Sequence, residues 1–384
     1  MGMPLGKRLL HDSGLRVPLI VYFPEKWRHL APVAPGESTG RLVSFVDFAA
    51  TVLSLCGIPV PDYMQGEAFW GPAAGQPRQY VYGARDRVDE AFDLSRSVRD
   101  QRWLYIRNFM PHLSWLPPER YSDDSTFRRE FRQMAAANQL DGPPKVFAAP
   151  QRAIEELYDT HADPHQVNNL ADCPDHQPQL QRLAEALNRW IMETRDVGFL
   201  TEPQVWQRIG EGSTPQDLAA SEQRYPLTQL WSAAGLVGRS DALDDQQKLL
   251  DHADDGVRYW AAVGLHAAAA RGTAPDRIQE TVLQALRSET SSSVRVELAA
   301  ALAAADSVDK ALDVLRQKLT HHRPEVVLHA MRTIELLQHQ ARPLLAELQQ
   351  KHRQMQAAKP PGDMPMFIRF SLEATLESFD ALEP

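Results

Sequence analysis

The fold turns on residues 17–24, "VPLIVYFP". Apolar and β-branched residues fall on both sides of any pleat laid through them. The stretch therefore predicts a strand covered on both faces, as in a layered α/β domain, rather than a strand with one wet face. It follows a Gly/Pro-containing turn, "MGMPLGKRLLHDSG" (1–14), that carries Lys7 and Arg8. His11 and Asp12 are neighbours in that turn. Adjacent side chains of extended chain point to opposite sides, so the two are read as turn residues leading into the strand and not as a working pair.

Working outward, the chain to about residue 200 alternates strand-like and helix-like stretches. "VSFVDFAATVLSLCG" (43–57) has apolar residues at helical spacing and stops at Gly57, where a helix C-terminus favours glycine. "RQYVYGAR" (78–85) and "SVRDQRWLYIRNF" (97–109) read as strands, the second bent by a polar turn at Asp100–Arg102. Residues 119–139 begin polar and become helical. Over 177–196, Leu180, Leu183, Leu187 and Ile191 line one side of an amphipathic helix.

After about residue 240 the strand signals vanish and Ala and Leu rise. "DDGVRYWAAVGL" (254–265), "SSSVRVELAAAL" (291–302) and "RPEVVLHAMRTI" (323–334) resemble one another, with Val257, Val294 and Val326 at intervals of 37 and 32 residues. Each has a polar start followed by small apolar residues at helical spacing, so each helix buries its face against the next. The pattern resembles HEAT repeats. The expected organisation is an α/β region over 1–200, a connecting segment over 201–240 and an α-helical HEAT-like region over 241–384.

With 41 Lys and Arg against 50 Asp and Glu, the net charge is −9 and no sustained basic run exists, which argues against a nucleic-acid partner. No stretch approaches the roughly 18 apolar residues of a membrane span, and the first residues do not read as a secretory signal. Cys56, in "TVLSLCGIPV", is expected to be a small buried hydrophobe, and Cys173, before Pro174 in a polar loop, an exposed one. Neither has a neighbour that suggests chemistry.

Three stretches are more specific than composition: "GKRLLHDSGLRVPLIV" (6–21), "VDFAATVLSLCGIPVPDYMQG" (46–66) and "ELYDTHADPHQVNNLA" (156–171). In this order they resemble the C-terminal half of a sulfatase, an α/β enzyme of the alkaline-phosphatase-like superfamily with a mixed sheet. Ala50 stands where the family has proline, and Gln166 where it has glutamate. Residues 85–109 are most similar to the heparan N-sulfatase (sulfamidase) branch and its bacterial relatives. The third stretch is read as structural, because turn chemistry at Asp163–Pro164 and capping by Asn168 or Asn169 explain its polar residues.

The resemblance implies a hydrolase of sulfuric esters or sulfamates on sulfated sugars, periplasmic or secreted, using calcium and a formylglycine made within Cys/Ser-x-Pro-x-Arg. That motif is not found here, and the resemblance places the metal-binding Asp-Asn/His-Gly segment ahead of residue 1. The chain is thus expected to be a fragment, inactive alone. Of the family's site it implies Lys7, as a point charge on the substrate sulfate. A second candidate is the charged loop "RDRVDE" (85–90) at a strand's C-terminal end, where α/β sheets place binding loops. There Arg85 and Arg87 suit an anionic group and Asp86 and Asp89 suit sugar hydroxyls; a solvated face explains the same residues equally well. His112, Trp115 and Tyr121 fit sugar stacking or core packing. A rival reading is a non-catalytic scaffold that offers the helical region to a protein partner.

Overall fold

The computed structural model describes residues 8–380. Its N-terminal part holds α1 (Asp12–Leu15) and α2 (Asp47–Leu55), joined by irregular chain that includes a 3-10 helix at Glu25–Leu30. Helix α2 ends as its sequence requires. Gly57 adopts φ +68°, with Gly57 N–H donating to Ser54 O and Ile58 N–H to Leu53 O, a left-handed stop open to glycine at little cost.

The sheet has four strands, β1 (Val81–Arg85), β2 (Ser95–Arg99), β3 (Trp103–Asn108) and β4 (Glu155–Asp159), in the order β1-β2-β3-β4. Every pairing is antiparallel, so the sheet is not the mixed one expected. The stretch 97–109, read as one bent strand, is a hairpin. Asp100 Oδ1 accepts from the N–H groups of Arg102 (2.8 Å) and Trp103 (2.6 Å), closing a turn without glycine.

Residues 17–24 do not join the sheet. They run as extended chain outside any strand, with Ile20 92% and Tyr22 82% exposed. The apolar pattern is that of a covered strand, but a strand exists only through its partners, and all those in this sheet come from residues 81–159. Cys56, the C-cap residue of α2, is exposed rather than buried, while Cys173 is half-buried.

Both faces of the sheet are covered, and the period-two alternation of β3 shows how. Trp103 and Tyr105 join the larger apolar cluster, and Leu104 and Ile106 the smaller one. The smaller cluster holds Leu9, Leu10, Trp115 and Tyr158, with Phe131 and Phe147 from the excursion between β3 and β4. That excursion forms α3 (Arg120–Asp123), α4 (Thr126–Ala136) and α5 (Pro143–Phe147). The other face is covered by α6 (Gln177–Thr194), which buries Leu180, Leu183, Leu187 and Ile191, the four residues its spacing predicts.

Residues 201–240 are folded rather than a loose connection. They form α7 (Glu202–Arg208), α8 (Pro215–Ala219) and α9 (Leu227–Gly235), and bury Leu218, Tyr225, Leu227 and Leu230. The helical region continues through α10 (Leu243–Leu249), α11 (Asp255–Ala269), α12 (Pro275–Ala285), α13 (Ser292–Ala304), α14 (Val308–Lys318), α15 (Pro324–Leu337), α16 (Leu345–Ala358) and α17 (Asp363–Ser378). The three similar segments begin α11, α13 and α15, which lie side by side with Val257, Val294 and Val326 buried. Buried alanines at 261, 262, 299, 301 and 330 let these helices approach closely. One of the polar starts is a side-chain cap: Asp254 Oδ1 accepts from Gly256 and Val257 N–H at the head of α11. The apolar core runs without a break from the sheet into these helices. No helix among the described residues is long and apolar enough to cross a membrane.

Candidate functional site

Lys7 lies outside the described residues. The loop 85–90 begins at the last residue of β1 and makes a tight reversal, with Val88 and Ala91 bridged and Asp89 at φ +51°. Apart from Asp86, its charges are turned into the protein. Buried Arg85 sets Nε 2.7 Å from Asp93 Oδ2 and donates from Nη1 to Arg8 O at 2.6 Å. Asp89 Oδ2 lies 2.6 Å from Arg8 Nη2, and Arg8 Nη1 donates to Glu119 Oε2 at 3.1 Å. Arg152 Nη1 donates to Asp93 Oδ2 at 2.9 Å, and its guanidinium lies over the Trp115 ring at 4.1 Å. A chain of alternating charge, Asp89–Arg8–Glu119–Arg85–Asp93–Arg152, thus ties the N-terminal turn to the sheet. Burial works to raise the Asp93 carboxyl, but the charges of Arg152 and Arg85 outweigh it and hold it below its ordinary range.

The other two candidate residues of the loop, Arg87 and Asp86, face different elements. Arg87 makes a two-bond fork to Glu202, at 2.7 and 2.8 Å, and lies over the Phe367 ring at 5.0 Å, so it joins the loop to α7 and α17. Asp86 Oδ1 accepts from Arg96 Nη2 at 2.9 Å, and its side chain is 51% exposed. Arg96, 1% exposed, also donates to both oxygens of Asp196, one bond at 3.0 Å. Arg85 and Asp89 therefore share Arg8 as a partner, whereas Asp86 and Arg87 face other elements. All four are engaged in ion pairs, and Asp86, paired with Arg96, alone keeps about half its side chain in solvent.

The neighbouring aromatics divide. Trp115 is buried under Arg152, whereas Tyr121 is exposed with the Arg8 guanidinium 5.3 Å from its ring centre. His11 is more than a turn residue: it is buried against Trp115 and Tyr158, with Nε2 3.3 Å from Glu156 Oε2. Burial works to raise Glu156, but hydrogen bonds from His11, Tyr158 and Asn108 hold it low. Asp12 turns away and pairs with Arg99 at 2.8 Å, so the two neighbours do not act on each other. In the third stretch, Asp163 Oδ2 accepts from Val167 and Asn168 N–H, and Asn169 Oδ1 from Leu157 and Ala171 N–H. These bonds are turn chemistry. Reading the sequence did not find Arg96, whose only signal is an arginine at an inward position of β2, between Ser95 and Ser97.

Among the described residues, one group of metal-binding side chains converges: His112, His266 and Glu297, with one ligand atom from each lying within 4.8 Å of the others. Burial, then the neighbouring His266, pushes His112 down to about 3. Beyond this, a cavity of about 430 Å³ beside the β2–β3 hairpin carries Arg78, Arg102 and Arg182, each already paired with a carboxylate.

Comparison with known proteins gives a consistent direction. Residues 4–115 match the family described as "N-sulphoglucosamine sulphohydrolase, C-terminal". Over 218 residues the chain is 35% identical to an ulvan-active sulfatase of Formosa agariphila, covering 57% of this chain and 36% of that protein. It is 25% identical over 204 residues to the N-sulphoglucosamine sulphohydrolase of Homo sapiens, covering 50% of this chain and 40% of that protein. A solved structure of a 2-O GAG sulfatase matches 39% of this chain and 25% of its own, at 20% identity and a TM-score of 0.25. The chain spans about two fifths or less of the length of these curated relatives, and over part of its own length it is homologous to sulfatases.

Proposed function

From that kinship we propose that the chain is the C-terminal part of a sulfatase, a hydrolase that removes sulfate from O-sulfated or N-sulfated sugars. The 35% identity over 218 residues to a sulfatase carries the reading. Lys7 is the proposed contact to the substrate sulfate, where an ammonium offsets the oxyanion and the charge developing on the leaving group. Asp86, half in solvent at the end of β1, is the residue of the 85–90 loop best placed to accept a sugar hydroxyl. Arg85, Arg87 and Asp89 support it by holding the loop's shape.

The calcium and formylglycine of sulfatases do not fit this chain's own residues. Calcium takes six to eight oxygen ligands, whereas the one converging group among the described residues offers two imidazoles and a carboxylate. Cys56 and Cys173 both lack the proline and arginine of the modification motif. In this proposal those groups belong to sequence outside the 384 residues. The row of α11, α13 and α15 supports a HEAT-type stack with a face for a protein partner.

The test is sulfate release from a panel of O- and N-sulfated oligosaccharides. Native protein, captured from its cells on an antibody to residues 241–384, is compared with the recombinant 384-residue chain. Release by the native protein alone is expected. Turnover by the recombinant chain would refute the placement of the missing groups, and silence from the native protein across the panel would refute the sulfatase reading.

A further inference from the structure

Where the segment after β3 meets the helical row, three histidines and a glutamate collect in the interior. His112 comes from that segment, His266 from α11, Glu297 from α13 and His329 from α15. The His112 and His266 rings lie 4.5 Å apart, and His266 Nδ1 lies 2.7 Å from Glu297 Oε1. His329 Nε2 stands 3.5 Å from the other oxygen, Glu297 Oε2. Phe92 and Tyr259 lie against His329 and shield it.

This cluster is not satisfied as it stands. The Nδ1 atoms of His112 and His329 are both buried without a hydrogen-bond partner, and His329 is only 4% exposed. Orphaned polar atoms cost free energy in a low-dielectric core and call for a reason. Hydrogen bonding between His266 and Glu297 explains one contact of the set, but it leaves the His112 nitrogen with nothing to meet.

We propose that His112, His266 and Glu297 bind a divalent transition-metal ion, zinc by preference, that fastens the sheet region to the helical row. Two imidazoles and one carboxylate make a ligand set that zinc accepts, and nitrogen donors select against calcium and magnesium. The geometry is near what the ion needs. A tetrahedral zinc with bonds of about 2.1 Å holds its ligand atoms about 3.4 Å apart, and the three atoms here lie within 4.8 Å of one another. Closing on the ion takes shifts of about 1 Å and turns the His266–Glu297 hydrogen bond into two metal bonds. His329 then holds the second carboxylate oxygen, the outer-shell support that orients a ligand. This site stands apart from the proposed sulfate chemistry and does not depend on it.

Chelator-treated full-length chain is titrated with Zn²⁺ alone by calorimetry, and metal content is measured by mass spectrometry after gel filtration. One zinc per chain is expected, with a rise in Tm. His112→Ala and Glu297→Gln are expected to weaken binding more than roughly tenfold. A variant lacking His321 and His322, which stack on each other at 4.4 Å elsewhere in the molecule, should bind as the parent does. Absence of stoichiometric binding, or binding untouched by both cluster variants, would overturn the proposal. Because buried variants can fail to fold, X-ray absorption on the zinc-loaded parent gives an independent reading. Imidazole scattering with one carboxylate is expected, and an oxygen-only or thiolate shell would overturn it.

Discussion

Asp93 takes the charge of two buried arginines, and its worth depends on their having no other full partner. Removing one member of a buried ion network leaves an uncompensated charge at about 3–5 kcal/mol. Asp93→Asn should therefore cost stability in that range, read from denaturant unfolding. Because the folded carboxyl is held below its ordinary value, Asp93 adds stability above about pH 4 that is lost as pH falls through the folded pKa. Glu90 has the opposite sign. Burial pushes it up to about 7 from an ordinary 4.5, against the Arg120 N–H that holds it down. The folded state then binds the extra proton between those values, so this group's contribution falls as pH rises from 4.5 to about 7. Glu90→Gln should raise Tm at pH 8 and leave it nearly unchanged at pH 4.5. A loss at pH 8 would show that the charged carboxylate is the stabilising form.

Elements formed where the local signal was complete. Helix α6 was legible because its apolar residues recur on one side, and α2 because its stop is a glycine. The hairpin of β2 and β3 was not, since a side chain, Asp100, makes the turn with no glycine to mark it. Residues 17–24 failed differently: their continuous apolar run describes a strand covered on both faces, while pairing depends on chain that the stretch cannot specify. Trp115 and Tyr121 had equal claims to the core, and only the fold separates them. Helix α2 also offers a sharp test. A Cβ on Gly66 would stand 1.9 Å from Val46 O and 3.0 Å from Asp47 Cα, at the head of the helix. Asp47 there accepts from Ser44 and Glu67 N–H and pairs with Arg78. Gly66→Ala should destabilise by about 1–3 kcal/mol, whereas Gly75→Ala, with nothing within 4 Å, should be neutral. Equal unfolding midpoints for the two would contradict this packing.

At the scale of the molecule, the sheet and the helical row share one core, and polar contacts cross it as well. Trp260 Nε1–H donates to Phe199 O at 2.8 Å, and Arg87 forks onto Glu202. Calorimetry of the full chain should show a single cooperative transition. Two resolved transitions would mean that the sheet region melts apart from the helices. The helical region was legible because small apolar residues recur there at helical spacing and strand signals are absent. The candidate site was not, because Arg85, Arg87 and Asp89 are charged in sequence yet find partners distant in the chain.

The sulfatase reading is tested most directly by peptide mapping of the native protein, captured on residues 241–384 and digested for mass spectrometry. A formylglycine-bearing peptide is expected, from sequence absent in the 384 residues and belonging to the captured protein. A native protein of 43.2 kDa that yields only peptides of this sequence, with no formylglycine, would contradict the assignment.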